Sequence, residues 1–200
     1  MKKPIIIGIT GGIGGGKSTI SALLREKGFL VYDTDQEAKR LQNTNPDIRK
    51  KLINLFGDDI YNQENVLDRK KLAGIVFKQP DLLSKLNEII HPEVKRDFLN
   101  WQEKHADEPF LFIESAILFE GGLKDFVDKI VVVTAPEDIR IQRVIKRDQT
   151  TATKVRERMA QQMPENEKIK LADIVLDSDG DNISNNFEML LLNIYRFRKF

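Results

Sequence analysis

The segment IIIGITGGIGGGKS, at residues 5–18, decides the fold of this chain. Its first part, 5–9, is a short apolar run, which is typical of a strand buried on both faces of a parallel sheet. Its second part, 11–18, fits the phosphate-loop pattern G-x-x-x-x-G-K-[ST] at every fixed position. The apolar spacing of residues 20–24 then predicts a helix. Strand, loop and helix in this order are the context that a phosphate loop requires.

The glycines, the lysine and the serine of this loop each suit a task at a phosphate. Successive glycines let backbone N–H groups curl around the anion, and the N-terminus of the following helix adds positive potential. Lys17 would bring its ammonium group to the β- and γ-phosphates, and the hydroxyl of Ser18 is placed to bind Mg²⁺. A chance glycine-rich turn is the alternative; the dinucleotide-binding pattern G-x-G-x-x-G does not fit. We predict a nucleoside triphosphate site at Gly14, Gly15, Gly16, Lys17, Ser18 and Thr19.

Four further apolar runs predict strands, which makes five in all. They lie at 29–32, 110–113, 130–133 and 174–176, with helical patterns between them. Short apolar runs without polar alternation indicate a parallel sheet that is covered on both faces. We therefore expect an α/β fold with a five-stranded parallel sheet flanked by helices.

Two helical segments interrupt the alternation of strands and helices. More than seventy residues separate the second predicted strand from the third, whereas a crossover needs only about a dozen. The i, i+3, i+4 spacing of apolar residues in this segment predicts a helical subdomain at 36–109 that could hold a second ligand, the acceptor if the protein is a kinase. Pro92 is expected to kink or split its last helix. A second helical segment, at 137–170, is predicted to form a lid. The nucleotide-binding core would then comprise residues 1–35, 110–136 and 171–200.

Composition limits the class of protein. The 200 residues are 40% hydrophobic and 32% charged, with a formal net charge of +1. This balance is typical of a soluble globular protein, and the near-neutral charge argues against a nucleic-acid or anionic-membrane partner. With no cysteine and two histidines, thiolate metal sites and cysteine nucleophiles are excluded. No apolar run reaches the roughly 18–20 residues that span a bilayer, so we expect a cytoplasmic protein.

A basic segment favours a kinase over other proteins with a phosphate loop. The base-reading tetrapeptide N-K-x-D of switch GTPases does not occur in the sequence. Residues 140–158 carry seven basic side chains against two acidic ones. Among them Arg140, Arg143 and Arg147 fall at i, i+3 and i+7, on one face of a predicted helix. Such a stripe is either a solvated surface or a set of phosphate contacts, and beside a phosphate loop we predict the second.

Motifs along nearly the whole chain resemble those of the dephospho-coenzyme A kinase family. They are ITGGIGGGKST at 9–19, VYDTD at 31–35, DRKKL at 68–72, IIHP at 89–92, LFE at 118–120 and RMAQQ at 158–162. The resemblance implies a P-loop kinase that transfers the γ-phosphate of ATP to the ribose 3′-hydroxyl of dephospho-CoA, the last step in making coenzyme A. ATP, Mg²⁺ and dephospho-CoA are the implied ligands, and no obligate protein partner is inferred.

Two positions depart from the family pattern. Glu114 stands where the family often has Asp, and Ala116 stands where Pro is usual. A glutamate still leaves a carboxylate at the end of the strand. The turn that begins at Asp177 replaces an Asn-containing turn, so no adenine-contacting residue is assigned.

The family's catalytic aspartate maps onto Asp35, which we predict to be the base for the acceptor hydroxyl. Asp35 lies just past the second predicted strand, at the carboxyl edge where such sheets bind ligands. The alternative is structural, because Thr34 and Glu37 fit a capping box and Asp35 would then complement the helix dipole. Asp33 is the reserve candidate for the base and a predicted substrate contact.

The remaining site residues are assigned from their chemistry and from the resemblance. Lys17 and Arg143 are predicted to act catalytically on the charge of the transferring phosphate, and Arg147 to bind the nucleotide. The resemblance makes His91 a contact in the acceptor pocket, whereas the alternative is a half-buried ring beside a kink. Glu114 is predicted to lie at the substrate and to help hold Mg²⁺ through water; the alternative is a strand-end carboxylate without a partner.

Two rival functions stay open at this stage. One is a different small-molecule P-loop kinase, with a nucleoside monophosphate or a shikimate-like alcohol as acceptor, because the helical insertion suits either. The other is a nucleotide-regulated binding protein that phosphorylates nothing. Asp35 argues against the second rival, since such a protein has no use for a base that faces an acceptor hydroxyl.

Overall fold

The computed structural model describes residues 3–76, 79–180 and 183–198, and its centre is a parallel sheet. Five strands pair in the order β2-β3-β1-β4-β5, and every pair is parallel. The strands are β1 (Ile5–Thr10), β2 (Leu30–Asp33), β3 (Phe110–Glu114), β4 (Lys129–Thr134) and β5 (Ile174–Asp177). The predicted α/β fold with five parallel strands is therefore confirmed.

Each strand continues one residue beyond the apolar run that predicted it, and each added residue is polar. These residues are Thr10, Asp33, Glu114, Thr134 and Asp177. The apolar pattern detects only residues with buried apolar side chains. A polar residue at the carboxyl end of a strand still forms backbone hydrogen bonds with the neighbouring strand. The register places Asp33 opposite Glu114 on neighbouring strands. Polar side chains consequently collect at the edge where parallel sheets bind ligands.

Helices follow the strands as the apolar spacing predicted. They are α1 (Lys17–Glu26), α2 (Thr34–Thr44), α3 (Pro46–Phe56), α4 (Arg69–Val76), α5 (Pro80–Lys104), α6 (Glu137–Asp148), α7 (Ala152–Ala160), α8 (Glu165–Lys170) and α9 (Ile183–Arg196). One part of the core lies where α1 and α9 pack on the sheet. Ile20 and Leu24 of α1 and Ile194 of α9 are fully buried there against β1 and β4.

The chain forms two compact units, of which the second is the continuous segment Thr34–Lys104. This unit contains α2 to α5, and Ile48, Leu52 and Phe98 are fully buried. Pro92 was expected to kink or split the last helix; the split is wrong, because α5 runs unbroken from Pro80 to Lys104, and the kink stays a prediction. A proline removes one backbone hydrogen bond from a helix. Burial of the apolar face of α5 on both sides of Pro92 keeps the helix continuous.

The first unit contains the remainder of the described chain, including the sheet and α6 to α8. Across the ranges 3–76, 79–180 and 183–198, no helix combines the length and apolar character that crossing a membrane requires.

Candidate active site

The connection between β1 and α1 is a tight loop whose backbone only glycine adopts readily. Gly14 and Gly16 have φ angles of 80° and 91°, in the left-handed region. A Cβ atom on Gly16 would also stand 2.7 Å from the Oγ of Ser178. The glycine pattern that suggested a phosphate site is thus required by the shape of the loop, and α1 begins directly after Gly16.

Lys17 turns back over the phosphate loop. Its Nζ donates hydrogen bonds to the carbonyl oxygens of Gly11, at 3.0 Å, and Gly12, at 3.2 Å. The ammonium group is therefore held at the loop by two backbone carbonyl groups. A positive charge at this place is available to phosphate groups that bind to the backbone N–H groups beneath it.

Ser18 and Glu114 meet at the carboxyl edge of the sheet. The hydroxyl of Ser18 donates a hydrogen bond of 2.9 Å to Oε1 of Glu114. Glu114 ends β3 and is only 6% exposed. Within the described ranges, no group of three or more His, Cys, Asp or Glu side chains could hold a metal by itself. A hydroxyl and a carboxylate do suit Mg²⁺, which takes one or two protein oxygens and completes its shell with phosphates and water.

The three arginines of the predicted stripe have different environments. Arg140 is 8% exposed, Arg143 is half-buried and Arg147 is exposed. Arg147 pairs with Asp148 at 2.7 Å, and Arg158 pairs with the same carboxylate. Hydrogen bonds from these two arginines hold the pKa of the Asp148 carboxyl well below its usual range. The predicted contact between Arg147 and the nucleotide stays a prediction.

Arg143 braces the phosphate loop against the turn after β5. Its guanidinium donates to both Oγ and the carbonyl oxygen of Ser178, each at 2.8 Å, and reaches the carbonyl oxygen of Gly14 at 3.5 Å. Ser178 Oγ in turn donates to the carbonyl oxygen of Gly15. Sequence analysis missed Ser178, because a serine in a polar turn carries no distinguishing pattern. The turn is described as far as Gly180; Asp181 and Asn182 lie outside the described residues.

Two side chains from the segment around α8 contact the loop and were not predicted. Glu165 Oε2 accepts a hydrogen bond of 2.7 Å from the N–H of Gly12. Gln162 Oε1 accepts one of 3.0 Å from the N–H of Ile13. The partners lie 153 and 149 residues apart in sequence. No spacing rule connects residues at such a distance, so only the fold reveals the contacts.

A buried lysine fixes this segment to the chain that follows β3. Lys168 is fully buried, and its Nζ donates 2.8 Å to the carbonyl oxygen of Ala116 and lies 3.2 Å from Glu120. Glu120 also accepts a hydrogen bond from the N–H of Met163. A charge removed from water needs this degree of pairing.

The helical unit, taken by itself, has a cavity beside Asp35. Asp35 lies in the first turn of α2. The cavity has a volume of about 300 Å³, and it is lined by Asp35, Ala38, Lys39, Gln42, Arg69, Leu72, Ala73, Val76 and Leu86. Two basic residues beside an apolar wall suit a ligand that carries both phosphate and hydrophobic groups.

His91 lies on α5 and, within the described part of the helical unit, is not one of the residues that line this cavity. Its contact with an acceptor stays a prediction. Burial lowers the pKa of His91 below its usual value of 6.5.

Acid should therefore weaken this unit through His91. The unfolded chain takes up the proton first as the pH falls, so stability is complete above pH 6.5 and declines below it. We expect the free energy of unfolding to drop between pH 7.5 and pH 5.5, and to drop less in His91→Gln. Urea denaturation of both proteins at the two pH values measures this. Equal declines would remove His91 as the cause.

Comparison with known proteins places these features in a family. The family model described as Dephospho-CoA kinase matches residues 5–184. A dephospho-CoA kinase of Porphyromonas gingivalis is 45% identical over 158 residues, which make up 79% of this chain and 77% of the relative. The crystal structure of TT1252 from Thermus thermophilus is 37% identical and covers 100% of both chains, with a TM-score of 0.84. Dephospho-CoA kinase from Campylobacter jejuni, 23% identical, shares the fold with a TM-score of 0.71 over 94% of this chain and 96% of that one.

Proposed function

The chain belongs to the dephospho-CoA kinase family, and from this premise we propose how its own residues transfer the γ-phosphate of ATP to the ribose 3′-hydroxyl of dephospho-CoA. The observation that carries the proposal is the arrangement at the carboxyl edge of the sheet. There a glycine loop, the ammonium group of Lys17 and the pair Ser18–Glu114 lie together. Phosphoryl transfer depends on positioning and on charge stabilisation, and these groups supply both.

ATP phosphates bind in the loop formed by Gly14, Gly15 and Gly16, with Thr19 in the following turn. Backbone N–H groups and the N-terminus of α1 attract the anion. Lys17 stabilises the negative charge on the β- and γ-phosphates during transfer. Arg143, next to Gly14, keeps the loop in shape and is our candidate for a second cation at the transferring group. Arg147 is proposed to contribute at the nucleotide from the same helix.

Asp35 is the proposed base. Its carboxylate takes the proton of the 3′-hydroxyl while the new oxygen–phosphorus bond forms. The bond between the γ-phosphorus and the β–γ bridging oxygen breaks, and ADP leaves with that oxygen. Support comes from the position of Asp35 in the wall of a cavity with two basic residues and an apolar side. Asp33 and His91 are proposed contacts of the acceptor, with Asp33 as the reserve base.

Mg²⁺ is the proposed metal ion, and Ser18 and Glu114 are the residues that would hold it, Glu114 through water. When bound, the ion offsets negative charge on the ATP phosphates. Oε1 of Glu114 accepts a hydrogen bond of 2.9 Å from the Ser18 hydroxyl, so the two groups are adjacent.

Loss of the Glu114 charge should raise the requirement for Mg²⁺. We expect Glu114→Gln to need about tenfold more Mg²⁺ for half-maximal activity, since one charge-assisted contact contributes about 1.5–3 kcal/mol. A Mg²⁺ titration at saturating ATP measures the shift. Glu108→Gln is the matched control, because Glu108 is exposed and precedes β3 at its opposite end. A wild-type titration curve for Glu114→Gln would contradict the assignment.

The proposal also assigns a cellular place and a set of partners. The proposed location is the cytoplasm, which gives access to ATP. The formal net charge of +1 supports the expectation that nucleic acid and membrane surfaces are not partners.

A panel of acceptors separates this function from its rivals. ADP release is measured with dephospho-CoA, with a nucleoside monophosphate and with shikimate, each at several concentrations. We expect kcat/KM to be highest for dephospho-CoA by at least about 10³-fold, because rejected acceptors leave polar groups of the site unpaired. A nucleoside monophosphate or shikimate as the best acceptor would overturn the proposal.

A further inference from the structure

The carboxylate of Glu165 occupies a position that has the chemistry of a phosphate site. Its Oε2 accepts a hydrogen bond of 2.7 Å from the N–H of Gly12 and lies 3.4 Å from Nη1 of Arg140. A backbone N–H at a phosphate loop combined with a guanidinium is a typical anion receptor. Gly12 precedes, in the same loop, the glycines to which ATP phosphates are assigned above.

A carboxylate satisfies this position only in part. Arg140 is 8% exposed, so more than nine-tenths of it is removed from water. Over residues 3–76, 79–180 and 183–198, neither Nε of Arg140 nor Oε1 of Glu165 has a hydrogen-bond partner, although both atoms are buried. Buried polar atoms are nearly always hydrogen-bonded. Nη1 of Arg140 and the N–H of Gly12 both face one oxygen of Glu165, and a phosphate oxygen in that place would meet the same two donors.

The surroundings have room for such a group. A Cβ atom on Gly12 would lie 2.2 Å from Nη1 of Arg140, so only glycine lets the guanidinium approach the loop. Beside this contact lies a cavity of about 520 Å³. Arg156 and Gln162 also line it. A second arginine and an amide at the same opening extend the set of groups that bind phosphate.

We propose that Gly12 and Arg140 form a second phosphate subsite and that Glu165 is an internal competitor, whose carboxylate leaves when a phosphate group of the substrate enters. The inference rests on the proposed function and deepens it. Two substrate groups have the required chemistry, namely the γ-phosphate of ATP and the diphosphate of dephospho-CoA. Glu165 would thereby hold the segment around α8 against the loop until a substrate arrives, and the ligand must displace it.

Removal of the charge on Glu165 should strengthen binding. Isothermal titration calorimetry of the full-length Glu165→Gln variant and of the wild type is run with ATP, ADP and dephospho-CoA. Only one ligand is present at a time, so that no turnover occurs. If the γ-phosphate uses the subsite, we expect the variant to bind ATP about tenfold more tightly than the wild type does, without the same gain for ADP. If the diphosphate uses it, we expect about tenfold tighter binding of dephospho-CoA. Glu167→Gln is the control, because Glu167 lies on the same helix and pairs with Lys170 at the surface. The subsite is refuted if neither ligand binds more than twofold tighter, or if Glu167→Gln produces the same gain.

A second variant guards against misfolding of the first, which leaves Arg140 buried without its partner. Arg140→Gln/Glu165→Gln carries no unpaired charge, and we expect the gain in affinity to disappear because the receptor is lost together with its competitor. Retention of the gain in the double variant would overturn the assignment of Arg140. Binding is measured separately from catalysis, so failure of the proposed function is distinguishable. Wild-type protein that does not bind dephospho-CoA would contradict the function, while the ATP-against-ADP comparison still tests the subsite.

Discussion

Replacement of Lys17 by methionine is expected to lower kcat by about 10³-fold, since removal of one preorganised charged donor at a transition state costs about 10²–10³ in rate. The ammonium group is held at the loop by hydrogen bonds to Gly11 and Gly12. Methionine keeps the length and the apolar part of the side chain and removes only the charge. The loss should therefore fall on the transferring phosphate rather than on packing.

Steady-state assays of ADP release, together with a thermal melt, separate chemistry from folding. Lys27→Met is the matched control, because Lys27 is exposed at the other end of α1 and pairs with Glu188. We expect both variants to melt close to the wild type and only Lys17→Met to lose activity. A decrease of less than tenfold in Lys17→Met would remove Lys17 from the catalytic machinery.

Asp35→Asn should lower kcat by about 10²–10⁴-fold, which is the usual contribution of a general base. Asparagine has nearly the same shape and can still bind the acceptor hydroxyl, but it cannot take its proton. The fold should be retained, because the charge at the start of α2 contributes only about 0.3–1 kcal/mol through the helix dipole. KM for dephospho-CoA should change much less than kcat.

The pH–rate profile distinguishes a base from a structural acid. Wild-type kcat should fall at low pH as the base becomes protonated, and this limb should be absent from the residual activity of Asp35→Asn. Glu37→Gln, in the same helical turn, serves as the control and should keep both the rate and the limb. An unchanged kcat in Asp35→Asn, with a large loss in Asp33→Asn, would move the role of base to Asp33.

The sheet could be predicted because its signal is local. A run such as Ile130 to Val133 reports burial on both faces directly, and all five strands were found in this way. The final residue of each strand escaped prediction because its side chain is polar while its backbone still pairs. For Pro92 the local signal was not sufficient to predict the structure of the helix. A local rule predicted a kink or a split in α5, and the split does not occur because the buried apolar face on both sides of the proline outweighs one lost hydrogen bond.

The site could be predicted only where a motif carries it. The loop and Lys17 were predicted from spacing, and Glu114 from the family resemblance together with its place at the end of a strand; their roles stay predictions. Helical periodicity placed Arg140 and Arg143 on one face, but it did not distinguish an arginine buried beside Glu165 from one that braces Ser178. Those partners depend on long-range packing of α8 and β5, which no sequence pattern encodes.

The central claim is that ATP is consumed only to phosphorylate the 3′-hydroxyl of dephospho-CoA. It is tested most directly by coupled measurement of ADP release with dephospho-CoA, with its 3′-deoxy analogue and without acceptor. We predict rapid release with dephospho-CoA, matched one to one by a 3′-phosphorylated product, and only background release with the analogue or without acceptor. ADP release at the same rate in all three reactions would contradict the claim.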